Sequence, residues 1–203
     1  MARNQVNPPP LRTISDFKSK LTGGGARANL FEVVLPFPDA ATPTQEVLDK
    51  SRFLVKGARL PASNIAQIEV PFRGRVLKIA GDRTFDSWTV TVINDTSFNI
   101  RDTMEQWSNS INDLQFDGGI TNPAGYQTDA FVTQLGRVND NSGQLSSGAD
   151  NMQQIRQYKF FGIYPGVVSS IPLDYGATDQ IEEFQVTFNY IYWTVESGSN
   201  ITG

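Results

Sequence analysis

The clearest alternation of apolar and polar positions falls at residues 86–94, DSWTVTVIN. Trp88, Val90 and Val92 alternate with Thr89, Thr91 and Ile93. β-branched residues fill most positions, as a pleated, half-buried strand favours. A second alternation runs through 180–195, QIEEFQVTFNYIYWTV, where Phe184, Val186, Phe188, Tyr190 and Tyr192 oppose Gln185, Thr187 and Asn189. Read as one strand it spans roughly 14–16 residues, or some 45–55 Å, against a usual strand of about 5–6 residues. Its polar side carries no charge. Such a side faces solvent or a water-filled lumen shared by several subunits.

Shorter patterns fill the rest of the chain. Residues 28–37 and 52–60 read as strands. Residues 65–71 and 73–80 read as a hairpin turning near Phe72–Gly74. Residues 128–138 and 152–164 read as a strand pair, with 139–151 as the polar tip between them and Pro165-Gly166 turning the chain after them. Residues 38–50 are a polar insertion with a helical turn at Gln45–Asp49. Helical spacing appears twice. Ile100, Met104, Trp107, Ile111 and Leu114 form one apolar stripe over 98–114, with Asn94-Asp95 placed to cap it. Thr13-Ile14-Ser15-Asp16 fits a helix start, followed by Ile14, Phe17 and Leu21 on one face and a stop at Gly23–Gly25. Residues 1–12 include NPPPL and form an extended arm; 196–203 form a polar tail. The expected whole is one mainly β domain over 1–203, an antiparallel sandwich or barrel with one flanking helix.

Composition narrows the chemistry. Among 203 residues there is no Cys and no His, which removes disulfides, thiol nucleophiles, His-based triads and the usual zinc sites. Carboxylate-pair, Lys–Ser and all-oxygen metal chemistry survive that cut. The net charge of −4 disfavours gripping DNA, because a phosphate-binding protein carries a basic excess. It is compatible with DNA sliding past. No apolar run reaches the ~18 residues of a membrane span, and MARNQVNPPPL lacks the apolar core of a secretory leader.

No candidate site matures into a catalytic constellation. Glu182 and Glu183 are adjacent on a strand and point to opposite faces, so they cannot share a substrate. The acids and amides at 139–151 lack the order of a calcium loop. Asp82 and Asp86 bracket Arg83 in a turn with a local ion pair. Tyr158, Phe160, Phe161 and Tyr164 read as core rather than a base-stacking platform, since no basic groove accompanies them. No enzyme activity and no cofactor is expected.

The block Ala80-Gly81-Asp82-Arg83-Thr84-Phe85-Asp86-Ser87-Trp88-Thr89-Val90-Thr91-Val92-Ile93-Asn94-Asp95 resembles a stretch of the tail tube proteins of contractile-tailed bacteriophages. In that family a Gly-acid-Arg-Thr-Phe turn feeds a Trp-Thr-Val-Thr-Val strand ending in Asn-Asp. Gly81, Asp82, Arg83, Thr84, Phe85 and Trp88 carry the match. Ala28-Asn29-Leu30-Phe31, Ala58-Arg59-Leu60-Pro61-Ala62 and the closing strand from Ile181 resemble further family segments in order. The arm before 13, the 38–50 insertion and the 139–151 loop look longer than the family pattern.

The resemblance implies a structural subunit. Six copies form a ring, rings stack into a tube within a contractile sheath, and DNA and a tape-measure protein occupy or traverse the bore. Baseplate and tail terminator proteins are the other implied partners. The place is the virion tail, after assembly in the host cytoplasm. Type VI secretion tubes, phage-like toxin particles and a tube-initiating baseplate protein share the architecture and form the alternative. Thr89, Thr91, Gln185, Thr187 and Asn189 are candidate lumen-facing residues. Thr42, Thr44, Gln45, Glu46, Asp49 and Lys50 are candidate contacts between rings. A sugar-binding or hydrolytic β-sandwich is the contrasting class.

Overall fold

In a computed structural model, the residues described are 13–21, 25–116, 118–136 and 154–196. The 1–12 arm, the 139–151 loop and nearly all of the C-terminal tail lie outside them.

Among the described residues the strands are β1 (Phe31–Val34), β2 (Val55–Ala58), β3 (Asn64–Phe72), β4 (Arg75–Thr84), β5 (Trp88–Ile93), β6 (Thr128–Leu135), β7 (Gln154–Val168), β8 (Glu183–Asn189) and β9 (Tyr192–Glu196). The helices are α1 (Ile14–Lys20), α2 (Gln45–Leu54), α3 (Asn99–Ile111) and α4 (Pro123–Tyr126). Seven strands follow the path β1-β6-β7-β8-β5-β2, with β9 also on β7; β3 and β4 form a separate pair. Every pairing is antiparallel.

The long strand of the molecule is β7, not the C-terminal segment. Its 15 residues span about 50 Å. Its first half pairs with β6 on one side and β9 on the other, and its second half pairs with β8. It therefore belongs to two layers, β1-β6-β7-β9 and β7-β8-β5-β2. The passage between them lies at Gly162, whose φ of +64° suits glycine and whose N–H donates to Asp129 Oδ1 at 3.1 Å. Strands that switch sheets in this way make the corners of sandwiches. Pro165 does not turn the chain: β7 continues past it with a register shift between Pro165 and Val167.

The expected 180–195 strand is two strands in different layers. The break falls at Tyr190-Ile191. Tyr190 packs edge-on against Phe160, and the Ile191 N–H donates to the Phe161 carbonyl, which carries the chain across to β9. The layers do not close into a barrel, since β1 and β2 remain edges.

The core lies between the layers and under α3. Trp88 stacks on Phe160 at 4.5 Å and tilts against Phe188, which also meets Trp107. Phe184, Val90, Val92, Val132 and Ile163 complete it. Each such side chain contributes about 1.5–3 kcal/mol by leaving water. From α3, Ile100, Met104 and Trp107 enter the core as the stripe requires, and Ile111 packs at its margin. Leu114 does not. The helix has ended by then, and Leu114 is exposed. Nor does Asp95 cap α3. Phe98 stands at the cap with φ +54°, while Asp95 accepts from Lys50 and Ser97.

The 38–50 insertion is more ordered than its polarity suggests. A 3-10 turn spans Asp39–Ala41, and α2 starts at Thr44, whose hydroxyl accepts from the Val47 N–H. Val47 and Ser51 are buried, with Leu48 and Leu54 packed at the core margin. This helix runs to Leu54, so the strand expected from residue 52 begins only at Val55. The fold thus carries more than the one flanking helix expected. No helix among the described residues is long and apolar enough to cross a membrane.

Candidate assembly surfaces

The first surface follows from strand alternation. With Trp88, Val90 and Val92 buried on β5 and Phe184, Val186 and Phe188 buried on β8, the intervening residues share the opposite face of the layer. Thr89 stands opposite Thr187, and Thr91 opposite Gln185. The Thr89 and Thr187 hydroxyls lie 3.1 Å apart, and Asn189 continues the row. The five residues expected on one polar sheet face are therefore brought together. They form an uncharged surface of hydroxyls and amides. Charge appears at its margin, where Glu183 pairs with Lys56 of the edge strand β2.

The second surface is the β3–β4 ribbon. Every residue of it is exposed except Gly81, which is half-buried. Register divides it into two unlike faces. Ile68 opposes Ile79, Val70 opposes Leu77, and Phe72 opposes Arg75. These pairs make one face apolar almost throughout. The other face carries Gln67 with Ala80, Glu69 with Lys78, and Pro71 with Val76. Gln67 Nε2 donates to Glu69, which also meets Lys78 at 3.8 Å. At the tip Arg73 and Gly74 both have positive φ, as a two-residue type I′ hairpin turn demands. The Arg73 guanidinium lies over the Phe72 ring, 5.3 Å from its centroid.

A neck joins the ribbon to the sandwich, and the family-like block builds it. Gly81 sits at a register shift where a Cβ would come within 3.1 Å of the Ala66 carbonyl oxygen, so a side chain there would push the strands apart. Asp82, Arg83 and Thr84 finish β4. Asp86 accepts from Asn64 Nδ2 at 2.8 Å rather than pairing with Arg83. Phe85 packs on Tyr190, and the Trp88 indole N–H donates to the Arg59 carbonyl at 2.8 Å. The Trp193 indole N–H donates to the Ala62 carbonyl at 3.0 Å, adding a tie from β9.

The third surface is the outer side of α2 and the turn before it. Thr42, Thr44, Gln45, Glu46 and Asp49 are exposed, and Lys50 is half-buried. Several are already engaged within the chain. Thr42 donates to Gln106 Oε1, Gln45 Nε2 donates to Asp49, and Lys50 bridges Asp95 and Glu46 at 2.8 and 2.6 Å. Donation to Asp95, then to Glu46, raises the Lys50 ammonium above its ordinary pKa. The same bond from Lys50, then that from Ser97, lowers the Asp95 carboxyl.

None of this resembles a reaction centre. Among the described residues no group of three acidic, His or Cys side chains could hold a metal. Glu182 precedes β8 rather than alternating within it, so both carboxylates border one cleft instead of opposite faces, and each is engaged, Glu182 with Asn94 and Glu183 with Lys56. Phe160 is fully buried, and Phe161 stacks on Tyr192. Sequence reasoning found the hairpin but not its apolar face. The signal was present as Ile68-x-Val70-x-Phe72 opposite Leu77-x-Ile79, readable once the turn was fixed at Arg73-Gly74.

Comparison with known proteins gives one consistent answer. The family model for phage tail tube protein matches residues 26–196. The chain is 30% identical over 174 residues to the tail tube protein gp19 of Enterobacteria phage T4, covering 85% of this chain and 93% of that one. It is 26% identical over 182 residues to the tail tube protein of Serratia phage KSP90, covering 89% and 95%. Among solved structures it matches a chain of the anti-feeding prophage tube-terminating cap with TM-score 0.55 and 13% identity, covering 97% and 99%. It also matches a chain of the extended sheath–tube complex of an extracellular contractile injection system, with TM-score 0.51 and 12% identity, covering 92% and 99%. At those identities the structural likeness is one of fold.

Proposed function

This chain belongs to the phage tail tube protein family, and from that premise we propose that its copies close into six-membered rings that stack into a hollow tail tube. Its role is structural rather than catalytic, and its place is the virion tail. The tube lies within the contractile sheath, meets baseplate and terminator proteins at its ends, holds the tape-measure protein and then conducts the genome.

The observation that carries self-assembly is the β3–β4 ribbon. A two-stranded ribbon is marginal alone, and one with a row of exposed Ile, Val, Leu and Phe needs a cover. In a tube of identical subunits the cover is a neighbouring copy. Ring closure also engages the free edges at β1 and β2, which otherwise invite uncontrolled pairing.

The bore is assigned to Thr89, Thr91, Gln185, Thr187 and Asn189. A wall of hydroxyls and amides gives a polyanion no fixed counter-charge to stick to, so DNA slides rather than binds. Thr42, Thr44, Gln45, Glu46, Asp49 and Lys50 are assigned to contacts between rings. A toxin-particle tube has only fold likeness at 9–13% identity in its favour, whereas the phage tube proteins share sequence along most of the chain.

Electron microscopy of the purified protein tests the polymer: hollow tubes or rings are expected, and monomers at every concentration would overturn it. A helical reconstruction then tests the faces. The five polar residues should line the bore, and their appearance on the outer wall would sink that assignment. Residues 42–50 without a neighbour in the next ring would sink the stacking assignment.

A further inference from the structure

Among the described residues the ribbon is not the only apolar surface left without cover. In α1, Thr13 and Asp16 close a reciprocal capping box, with the Thr13 N–H donating to Asp16 Oδ2 at 2.9 Å. Seven residues of helix are nevertheless too few to stand alone in water. The hydrogen bonds α1 makes are local, and none of its residues is buried. Ile14 is 77% exposed, and Phe17 is 64% exposed. At about 100° per residue, Ile14, Phe17 and Leu21 form one stripe. Lys18 and Lys20 flank that stripe on either side, and Asp16 lies on the back.

The segment between β7 and β8 has the complementary character. It folds around a cleft of about 560 Å³. Ile171, Leu173 and Ile181 give it apolar walls, and Leu173 is 80% exposed. Asp174, Glu182 and Glu183 bring carboxylates to the same cleft. Asp174 Oδ1 accepts from the Gly176 N–H, Glu182 Oε2 from Asn94 and Glu183 Oε1 from Lys56. Each of these bonds occupies one oxygen, and a carboxylate has capacity for more.

We infer that α1 of one copy docks in the 171–183 cleft of a neighbouring copy. The stripe would lie on Ile171, Leu173 and Ile181, and the two lysines would meet the carboxylate rim. Charge selects this partner over the other uncovered surface. The ribbon carries Arg73, Arg75 and Lys78 near its tip and would repel Lys18 and Lys20. The inference rests on the tube reading, which supplies the neighbouring copy.

Complementation between two variants tests it. Lys18→Glu with Lys20→Glu reverses the helix. Asp174→Lys with Gln180→Lys and Glu183→Gln turns the rim from three carboxylates into two ammoniums and one carboxylate, and leaves the Glu182–Asn94 bond intact. Each variant alone is expected to raise the concentration needed for polymerisation about tenfold or more. A one-to-one mixture should return it to within about twofold of wild type, because each reversed helix meets a reversed cleft only on the other chain. Phe17→Ser should cause a similar loss with no charge changed, and mixing with the Lys18→Glu, Lys20→Glu variant should not repair it, because neither chain then carries a competent helix.

Thermal melting of all variants should match wild type, since the altered side chains lie outside the core. Either reversed variant polymerising like wild type would overturn the inference. So would a mixture that fails to recover, which is the result if α1 docks within its own chain. Wild-type protein that forms no tubes would instead sink the tube reading and this contact with it.

Discussion

The sandwich and the β3–β4 ribbon are written in the same period-two pattern and meet opposite conditions. In β5 the apolar residues Trp88, Val90 and Val92 face a second layer and a helix, and all three are buried. In the ribbon Ile68, Val70, Leu77 and Ile79 are exposed, with no cover from the described residues. Alternation therefore reports that a face wants cover, not where the cover comes from. In the sandwich it comes from the same polypeptide. In the ribbon no described residue supplies it, and the proposed assembly gives that part to a neighbouring copy.

Four substitutions or conditions press on this contrast, in decreasing order of effect on the monomer. Trp107→Ala should cost about 3–5 kcal/mol, because it empties a fully buried site against Phe37 and Phe188 and leaves the Tyr126 carbonyl without its indole donor. Urea unfolding measures it, and a loss under about 1 kcal/mol would mean the core is not organised around this ring. Gly162→Ala should cost about 1–3 kcal/mol. It places a Cβ at φ +64°, where L-residues are strained, and 2.8 Å from Ile191 Cδ1. Unchanged stability would show that β7 can bend between layers without that glycine.

Ile68→Asp with Leu77→Asp should shift monomer stability by no more than about 0.5 kcal/mol yet abolish polymerisation. Paired melting and electron microscopy read both halves. Tubes of normal length would remove the ribbon from assembly. A comparable loss of monomer stability would erase the distinction between the two regions.

The smallest effect concerns pH. The Asp113 carboxylate accepts from the Gln115 and Phe116 N–H groups, and these bonds hold its pKa below the ordinary value. Its contribution is present above the unfolded carboxyl pKa of about 3.9 and is lost as pH falls through the lower folded value. Hydrogen exchange at Gln115 and Phe116 should quicken in that acid range while exchange in β5 does not. Equal acceleration of the two would point to global unfolding instead.

Much of this was legible in the residues. The β5 strand, the α3 stripe, the capping box of α1 and a hairpin turning near Phe72–Gly74 all rest on local rules of period, capping and backbone preference. The polar row Thr89, Thr91, Gln185, Thr187 and Asn189 was also readable, because alternation assigns a face once the buried residues are known. Less was legible where one pattern fits two outcomes. QIEEFQVTFNYIYWTV alternates almost without interruption, so nothing local marks the break at Tyr190-Ile191. That break exists because Phe160 and Phe161 offer packing and a carbonyl on the other layer. Leu114 continues the α3 spacing but falls beyond the helix, where Asp113 ties the Gln115 and Phe116 N–H groups into a turn.

By itself, then, the sequence determined a mainly β chain with a core facing Trp88 and Trp107, without the groups for thiol or imidazole chemistry. Those outcomes depend on residue type and on neighbours a few positions away. Tertiary structure decided that β7 serves two layers, that the last strand is two, and that the ribbon and α1 receive no cover from the described residues. Each of these turns on whether a distant segment arrives to take up a face or a hydrogen bond, and no spacing rule within a strand carries that information.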